Sequence, residues 1–468
     1  MIRAAWTLTT GVNRLILSIL FMGLLAYSLS LFIGKSLKDR PFEVHYTKNL
    51  AGVSENDFSA IEEDEGGIRE LSPKLIDYIL QDKGHRIGDE FTVSKDLRGR
   101  VEFWFKIYST YTISNAVLHD NDHPWVIYDV IDLNSVYSKY RSSVDRQQEK
   151  SRMIRTARYK YIHILSNLAN RKHFYRLSKE EQKVYDLFQD VPGKKQTVFL
   201  RAKNRIRVQL GQKDSVVYAI KRSGRYLKTM ERIFKQENLP IELTRIPFLE
   251  SSFNLDAYSK DGASGIWQFM YKTGKVFLNI SNAHGIDERK DPLKATQAAT
   301  KLLKQNYRIL KHWPLAVTAY NHGPGGILQG SKKVNSKNLN DLIENYKHPY
   351  FGFASKNFYS SYLAILHTEK YQDKIFGTLK KDQRLVHDDI EIIYPMRVSF
   401  VQKLCDLSMD QIKLYNPDLR QKALRSQSYL PEGYFLSLPK GQLKCIENFH
   451  EEVEETNKIL DSLLGKNT

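Results

Sequence analysis

The sequence is poor in the residues that would tie it to metal or redox chemistry. Its 468 residues include two cysteines, Cys405 and Cys445. There is no Cys-x-x-Cys pair and no cysteine–histidine spacing of the zinc-binding kind. The two thiols can pair in an oxidising compartment or stay buried and free, and the sequence leaves both open. "HDNDH", residues 119–123, holds ligand-type side chains but sits in a polar, turn-like stretch with no remote third ligand. No metal site and no cofactor is expected. The glycine-containing segments "KDGASG" (260–265) and "NHGPGG" (321–326) are not followed by Gly-Lys-Ser/Thr, so neither is a Walker loop. Taken alone they are turns between helices.

A compact basic tract is also missing, although 71 Lys and Arg stand against 53 Asp and Glu for a net charge of +18. The cations are spread and interleaved with acids. Such a field favours anionic surfaces, phospholipid and cell wall among them. With no zinc-finger or ribonucleoprotein signature, nucleic acid is not an expected partner.

Long apolar runs are scarce, with one exception. "LILSILFMGLLAYSLSLFI", residues 15–33, is uncharged and close to the ~20 residues a helix needs to cross a bilayer. Arg3 and Arg14 precede it; Lys35, Lys38 and Arg40 follow. A secretory signal peptide has a shorter apolar core and a small-residue cleavage site, for which Ala26 and Ser28 are weak candidates. An uncleaved signal anchor over residues 1–35 is expected, with the bulk of the chain outside the cytoplasm. No cysteine follows the run, which excludes a lipoprotein anchor.

A chain of this length is expected to hold two to four modules. Residues 36–133 read as a mixed α/β region. "RVEFWFKIYSTYT" suits a helix or a strand, and "HPWVIYDVIDL" reads as a strand. Residues 134–235 turn helical and basic, with Ile154, Tyr161, Ile162 and Leu165 at helical spacing. Ser178 with Glu181 three positions on predicts a capping box. Residues 236–378 continue as helices, and Asp291-Pro292 predicts the start of a long one. Residues 385–442 read strand–helix–helix–strand, a small binding module, and 443–468 a charged terminal helix. The fold class is therefore mainly α.

Glu250 is the residue that asks for chemistry. In "RIPFLESSFN" (245–254) it follows an apolar run and precedes two serines. A glutamate in that position is commonly just the solvated edge of an amphipathic helix. An acid desolvated by Ile246, Phe248 and Leu249 would instead hold its proton near neutral pH and suit a general acid. The surrounding blocks favour the second reading. "ESSFNLDAYSKDGASGIWQFM" (250–270), "DERKDPLKATQAATKLLKQNY" (287–307), "WPLAVTAYNHGPGG" (313–326) and "FASKNFY" (353–359) resemble, in order, the blocks of the soluble-lytic-transglycosylase-like (SLT) catalytic domain family. The subtype they resemble is the membrane-bound lytic murein transglycosylase D kind, and the 385–442 unit is similar to a degenerate LysM module.

The resemblance implies a lysozyme-like helical catalytic domain that takes the glycan strands of peptidoglycan as substrate and partner. It implies Glu250 as the single catalytic acid and base. Cleavage would fall between N-acetylmuramic acid and N-acetylglucosamine and leave a 1,6-anhydro sugar. It further implies substrate contacts from Ser259, Gln268, Met270, Tyr320, Asn321 and Tyr359. The expected enzyme is a single-pass membrane protein with its catalytic part in the periplasm. Ser355 and His322 depart from the family pattern, where Glu and Ala are common. A hydrolytic muramidase on the same fold and a non-catalytic wall-binding scaffold are the alternatives.

Overall fold

The structure, a computed structural model, describes residues 70–464. The 15–33 run lies outside the described residues, as does the acidic segment 55–67. Among the described residues no helix is long and apolar enough to cross a membrane.

Helices dominate, as expected, and their ends follow the local sequence. Ser72 caps Pro73–Leu80, accepting from the Leu75 N–H, with proline at the first turn. The Ser178–Glu181 capping box forms in full at the start of Lys179–Asp186. Asp291 accepts from the backbone N–H groups of Leu293 and Lys294 and opens Pro292–Leu310. Each side chain satisfies amides that have no partner inside their own helix.

Three buried clusters make up the interior. The largest joins residues 76–111 to residues 216–375. Its spine is the helix Phe353–Lys370, packed against Arg98–Ser109 on one side and Trp313–His322 on another. Arg98–Ser109 is buried over most of its surface. That explains why its apolar pattern shows no single clean face.

The second cluster lies under a three-stranded antiparallel sheet, order β2-β1-β3, with β1 Asn115–Asp120, β2 Ile127–Asp132 and β3 Ile206–Leu210. Leu118 pairs with Val208, and Val117 with Val130. The long helix Ser143–Asn170 packs on it through Ile154, Tyr161 and Leu165, while Ile162 stays partly exposed. The sheet straddles the expected division at 133/134, because β3 comes from the region read as helical. β1 is buried along its whole length. Its end therefore carries buried polar groups: Asp120 bonds the Arg205 guanidinium at 3.0 Å, and His119 Nδ1 lies 2.9 Å from the Asp120 carbonyl oxygen. Burial pushes the His119 imidazole down to about 3, so the ring is neutral.

Two short strands, β4 Ile280–Ser281 and β5 Ile286–Asp287, form a hairpin beside the candidate site. The third cluster fills the C-terminal unit. Its strands β6 His387–Glu391 and β7 Phe435–Pro439 pair antiparallel around the helices Val398–Cys405 and Met409–Tyr415. Cys405 and Cys445 form a disulfide that ties this unit to the terminal helix Lys444–Leu463. The unit docks on the β4–β5 hairpin through backbone: β5 bridges Ile286 to Leu419, Arg420 N–H donates to the Gly285 carbonyl at 2.8 Å, and Ile286 is itself part of the module's core.

Candidate active site

Glu250 occupies the short helix Ile246–Ser251. Ile246, Pro247, Phe248, Leu249 and Ser251 are all buried, while Glu250 is half-buried. Ser251 Oγ donates to the Ile266 carbonyl at 2.9 Å, tying the helix to the loop that follows. The chain then leaves through Ser252 and Phe253, with φ of 51° and 55°. Left-handed conformation at two successive non-glycine residues is uncommon and strained. It is held by the burial of Phe253, whose ring sits 4.6 Å from that of Phe248. The helix is fixed from behind by Arg245, which is 3% exposed and bonds Glu369 at 3.0 Å.

Residues 257–270 form the loop beside it. Ser259 Oγ accepts from the Ala263 N–H at 3.0 Å. Gln268, itself at a φ of 49°, donates its amide to the carbonyls of Gly265 (2.8 Å) and Ala257 (3.2 Å). Both side chains therefore shape the loop. Gly265 has no alternative: its φ is +75°, and a Cβ there would meet the Arg289 carbonyl oxygen at 1.8 Å. Met270 closes the strip and is 43% exposed.

Tyr320 ties this loop to the helix Phe353–Lys370. Its hydroxyl donates to the Trp267 carbonyl at 2.8 Å, and its ring stacks on Phe358. Burial, and after it the nearby Glu250 charge, holds the phenol far above its ordinary pKa, so it stays a neutral donor. The next residue, Asn321, is exposed, and its Oδ1 accepts from Ser355 Oγ at 2.9 Å. Glu250, the 266–270 strip, Tyr320, Asn321 and Ser355 thus converge from four separate stretches of chain.

Tyr359 is the exception. It was expected to contact substrate, and the structure places it in the core at 3% exposure, its ring 5.9 Å from Tyr362. The cause is the helix it sits on, Phe353–Lys370, which is buried along nearly its whole length.

Residues 230–343 match the family model for the transglycosylase SLT domain. The likeness covers that segment, which holds Glu250. The chain is 25% identical over 194 residues to membrane-bound lytic murein transglycosylase D of Escherichia coli (strain K12), across 41% of this chain and 42% of that one. It is 34% identical over 123 residues to a protein of Alteromonas sp. (strain M-1) named for tributyltin chloride resistance, across 26% of this chain and 58% of that one. The chain therefore spans less than half the length of the first relative. Among solved structures, the 70 kDa soluble lytic transglycosylase of Escherichia coli aligns over 52% of this chain and 38% of its own at 18% identity, with a TM-score of 0.28.

The SLT domain holds Glu250, Ser259, Gln268, Met270, Tyr320 and Asn321, whereas Ser355 lies beyond the matched residues. Two contributors escaped the sequence reading. Arg289 is 4% exposed, pairs with Asp287 at 2.9 Å through two nitrogens, and bonds the carbonyls of Gly262 and Phe269 with a third. It pins both ends of the loop that carries Gln268. Arg245 does the same for the Glu250 helix. Neither has a local signature, because each finds partners far along the chain or by carbonyl contacts that no spacing encodes.

Proposed function

We propose that the chain is a peptidoglycan lytic transglycosylase with Glu250 as its single general acid and base. The observation that carries this reading is a half-buried carboxyl group with apolar flanks, in electrostatic contact with a neutral tyrosine, within an SLT domain. Asp256 and Asp261, the acids next in sequence, are exposed on the loop. A paired-carboxylate hydrolase places its two acids across the bond to be broken, and these two do not supply that pairing.

The protonated Glu250 gives its proton to the glycosidic oxygen as the bond from the muramic acid anomeric carbon to that oxygen breaks. The resulting carboxylate takes the proton of the same sugar's C6 hydroxyl, whose oxygen bonds to the anomeric carbon. Glu250 returns to its starting state, no water is consumed, and the products are a 1,6-anhydro-muramic acid end and a free N-acetylglucosamine 4-hydroxyl. In this scheme Tyr320 orients the carboxyl group. Asn321, set by Ser355, presents its amide to an acetamido group. Ser259, Gln268 and Met270 line the adjacent sugar positions, and the lysozyme-like groove runs past them. The 385–442 unit serves as a LysM-like glycan holder. The disulfide suits an oxidising, extracytoplasmic compartment, and residues 15–33 supply the membrane anchor.

Digestion of purified sacculi with mass analysis of the products tests the reaction. Anhydro ends are expected; reducing muramic acid ends would make the enzyme a hydrolase. Glu250→Gln should lower cleavage by at least about a hundredfold while sacculus binding persists, and a variant as active as the parent would remove Glu250 from its role.

A further inference from the structure

Beside the candidate cleft, a recess of about 470 Å³ lies between the SLT domain and the C-terminal unit. One wall is Asp256, Asn282 and Lys290; the other carries Lys413, Arg420 and Lys422. Four cations thus face one carboxylate. None of the four forms an ion pair with another of the described residues, whereas the neighbouring Lys294 is held by Asp418 at 2.8 Å. Lys413, Arg420 and Lys422 are exposed and Lys290 half-exposed, so their charge is open to a ligand.

The recess is built rather than incidental. Arg420 is fixed at both ends: its N–H donates to the Gly285 carbonyl, and its Nη1 to Asn282 Oδ1 at 3.0 Å. Gly285, at a φ of +68°, lets the two walls approach, since a Cβ there would come within 2.8 Å of the Ala423 nitrogen. The recess also shares parts with the cleft. Lys290 follows Arg289, which holds the Gly262 and Phe269 carbonyls, and Asp256 precedes Ala257, whose carbonyl accepts from Gln268. A polymer lying along the 257–270 loop therefore passes the recess at its edge.

We infer that this recess binds the carboxylates of the peptide stem carried by the glycan strand, so that the C-terminal unit forms one wall of the substrate site. The inference rests on the glycan-cleaving reading for its ligand. The chemistry is that of an acidic peptide: muramic acid bears its stem on the lactyl group, and the stem ends in free carboxylates. Convergent ammonium and guanidinium groups on a fixed scaffold are the complement to such a ligand. Phosphate-bearing wall polymers would meet the same charge, but they are not covalently part of the strand that must lie against the 257–270 loop.

The test uses the full chain and the double variant Lys413→Glu/Lys422→Glu, both positions exposed and outside the proposed catalytic machinery. Direct binding of a soluble muropeptide with free stem carboxylates should weaken about tenfold or more in the variant. The same muropeptide with amidated carboxylates should bind parent and variant alike. Unchanged affinity for the free-acid muropeptide in the variant overturns the inference. So does equal loss for both forms, or tighter binding of a polyphosphate chain than of the muropeptide by the parent. Because binding is read without turnover, this result stands apart from the fate of the proposed reaction, which is read on peptide-free glycan strands.

Discussion

Ser355 donates its hydroxyl hydrogen to the side-chain oxygen of Asn321 across 2.9 Å, joining two helices at the edge of the cleft. The serine is 5% exposed, while the amide it holds is open to solvent. A short buried side chain thereby fixes which way an exposed amide points, leaving the Asn321 amide nitrogen for a ligand. The position departs from the glutamate common in the family.

Ser355→Ala should free Asn321 to rotate. A buried hydrogen bond contributes about 1 kcal/mol, so kcat/KM on acetylated glycan is expected to drop by roughly three- to tenfold, chiefly through KM. Steady-state kinetics beside a thermal melt would separate this from a folding defect. A fall in kcat alone, with KM unmoved, would contradict it.

Gly265→Ala should be among the most damaging single-methyl additions in the protein. The added Cβ would collide with backbone, the Arg289 carbonyl, at a φ that favours glycine. A loss of roughly 3 kcal/mol is expected. Differential scanning calorimetry would register it, and Gln268 would lose one of its two carbonyl partners even in molecules that remain folded.

A pH effect is expected at the seam between the SLT domain and the C-terminal unit. Burial pushes the Asp291 carboxyl up to about 6 from 3.8; Lys294 opposes the shift and Asp418 adds to it. The folded state thus binds this proton more tightly than the unfolded chain between about pH 4 and pH 6, so the stability this group contributes is present below pH 4 and is lost as pH rises through 6. Asp291→Asn keeps the helix cap and removes the titration. The variant should gain on the parent by on the order of 2 kcal/mol between pH 4 and pH 7, measured as the difference between their denaturant midpoints. Parallel pH profiles would show that Asp291 does not titrate in that range.

Reduction of the Cys405–Cys445 bond should loosen the C-terminal unit and leave the rest folded. A crosslink closing a separation of 40 residues is worth about 4 kcal/mol on the chain-entropy model. Hydrogen exchange with and without reductant should show faster exchange in Val398–Cys405 and Lys444–Leu463 and unchanged exchange in Trp313–His322. A global loss of protection would point to a single cooperative unit.

What the sequence discloses is what short-range forces decide. Ser178 with Glu181, and Asp291 with Pro292, announce their helices because a cap and its amides lie within three residues. In the C-terminal unit the two strands and the helices Val398–Cys405 and Met409–Tyr415 are legible for the same reason, whereas the short helix Gln421–Leu424 between them and the second strand is not. Glu250, Tyr320 and Asn321 were legible as candidates through their blocks. Ile206–Leu210 was missed: five residues inside a basic helical region become a strand only because β1 offers an edge some 90 residues earlier. Arg289 and Arg245 were missed because their worth lies in carbonyls and carboxylates gathered by the fold. Tyr359 was misplaced because sequence shows which residues share a helix but not how many neighbours will crowd around it.

Ile286 belongs to the SLT domain by sequence and to the C-terminal unit by packing. The two parts are therefore not beads on a thread that could be exchanged freely. Grafting a foreign module onto this chain would leave a bare isoleucine and an orphaned hairpin edge behind, while moving this one elsewhere would open a hole in its middle. Any exchange of the C-terminal unit has to arrive with a matching change in the hairpin beside it.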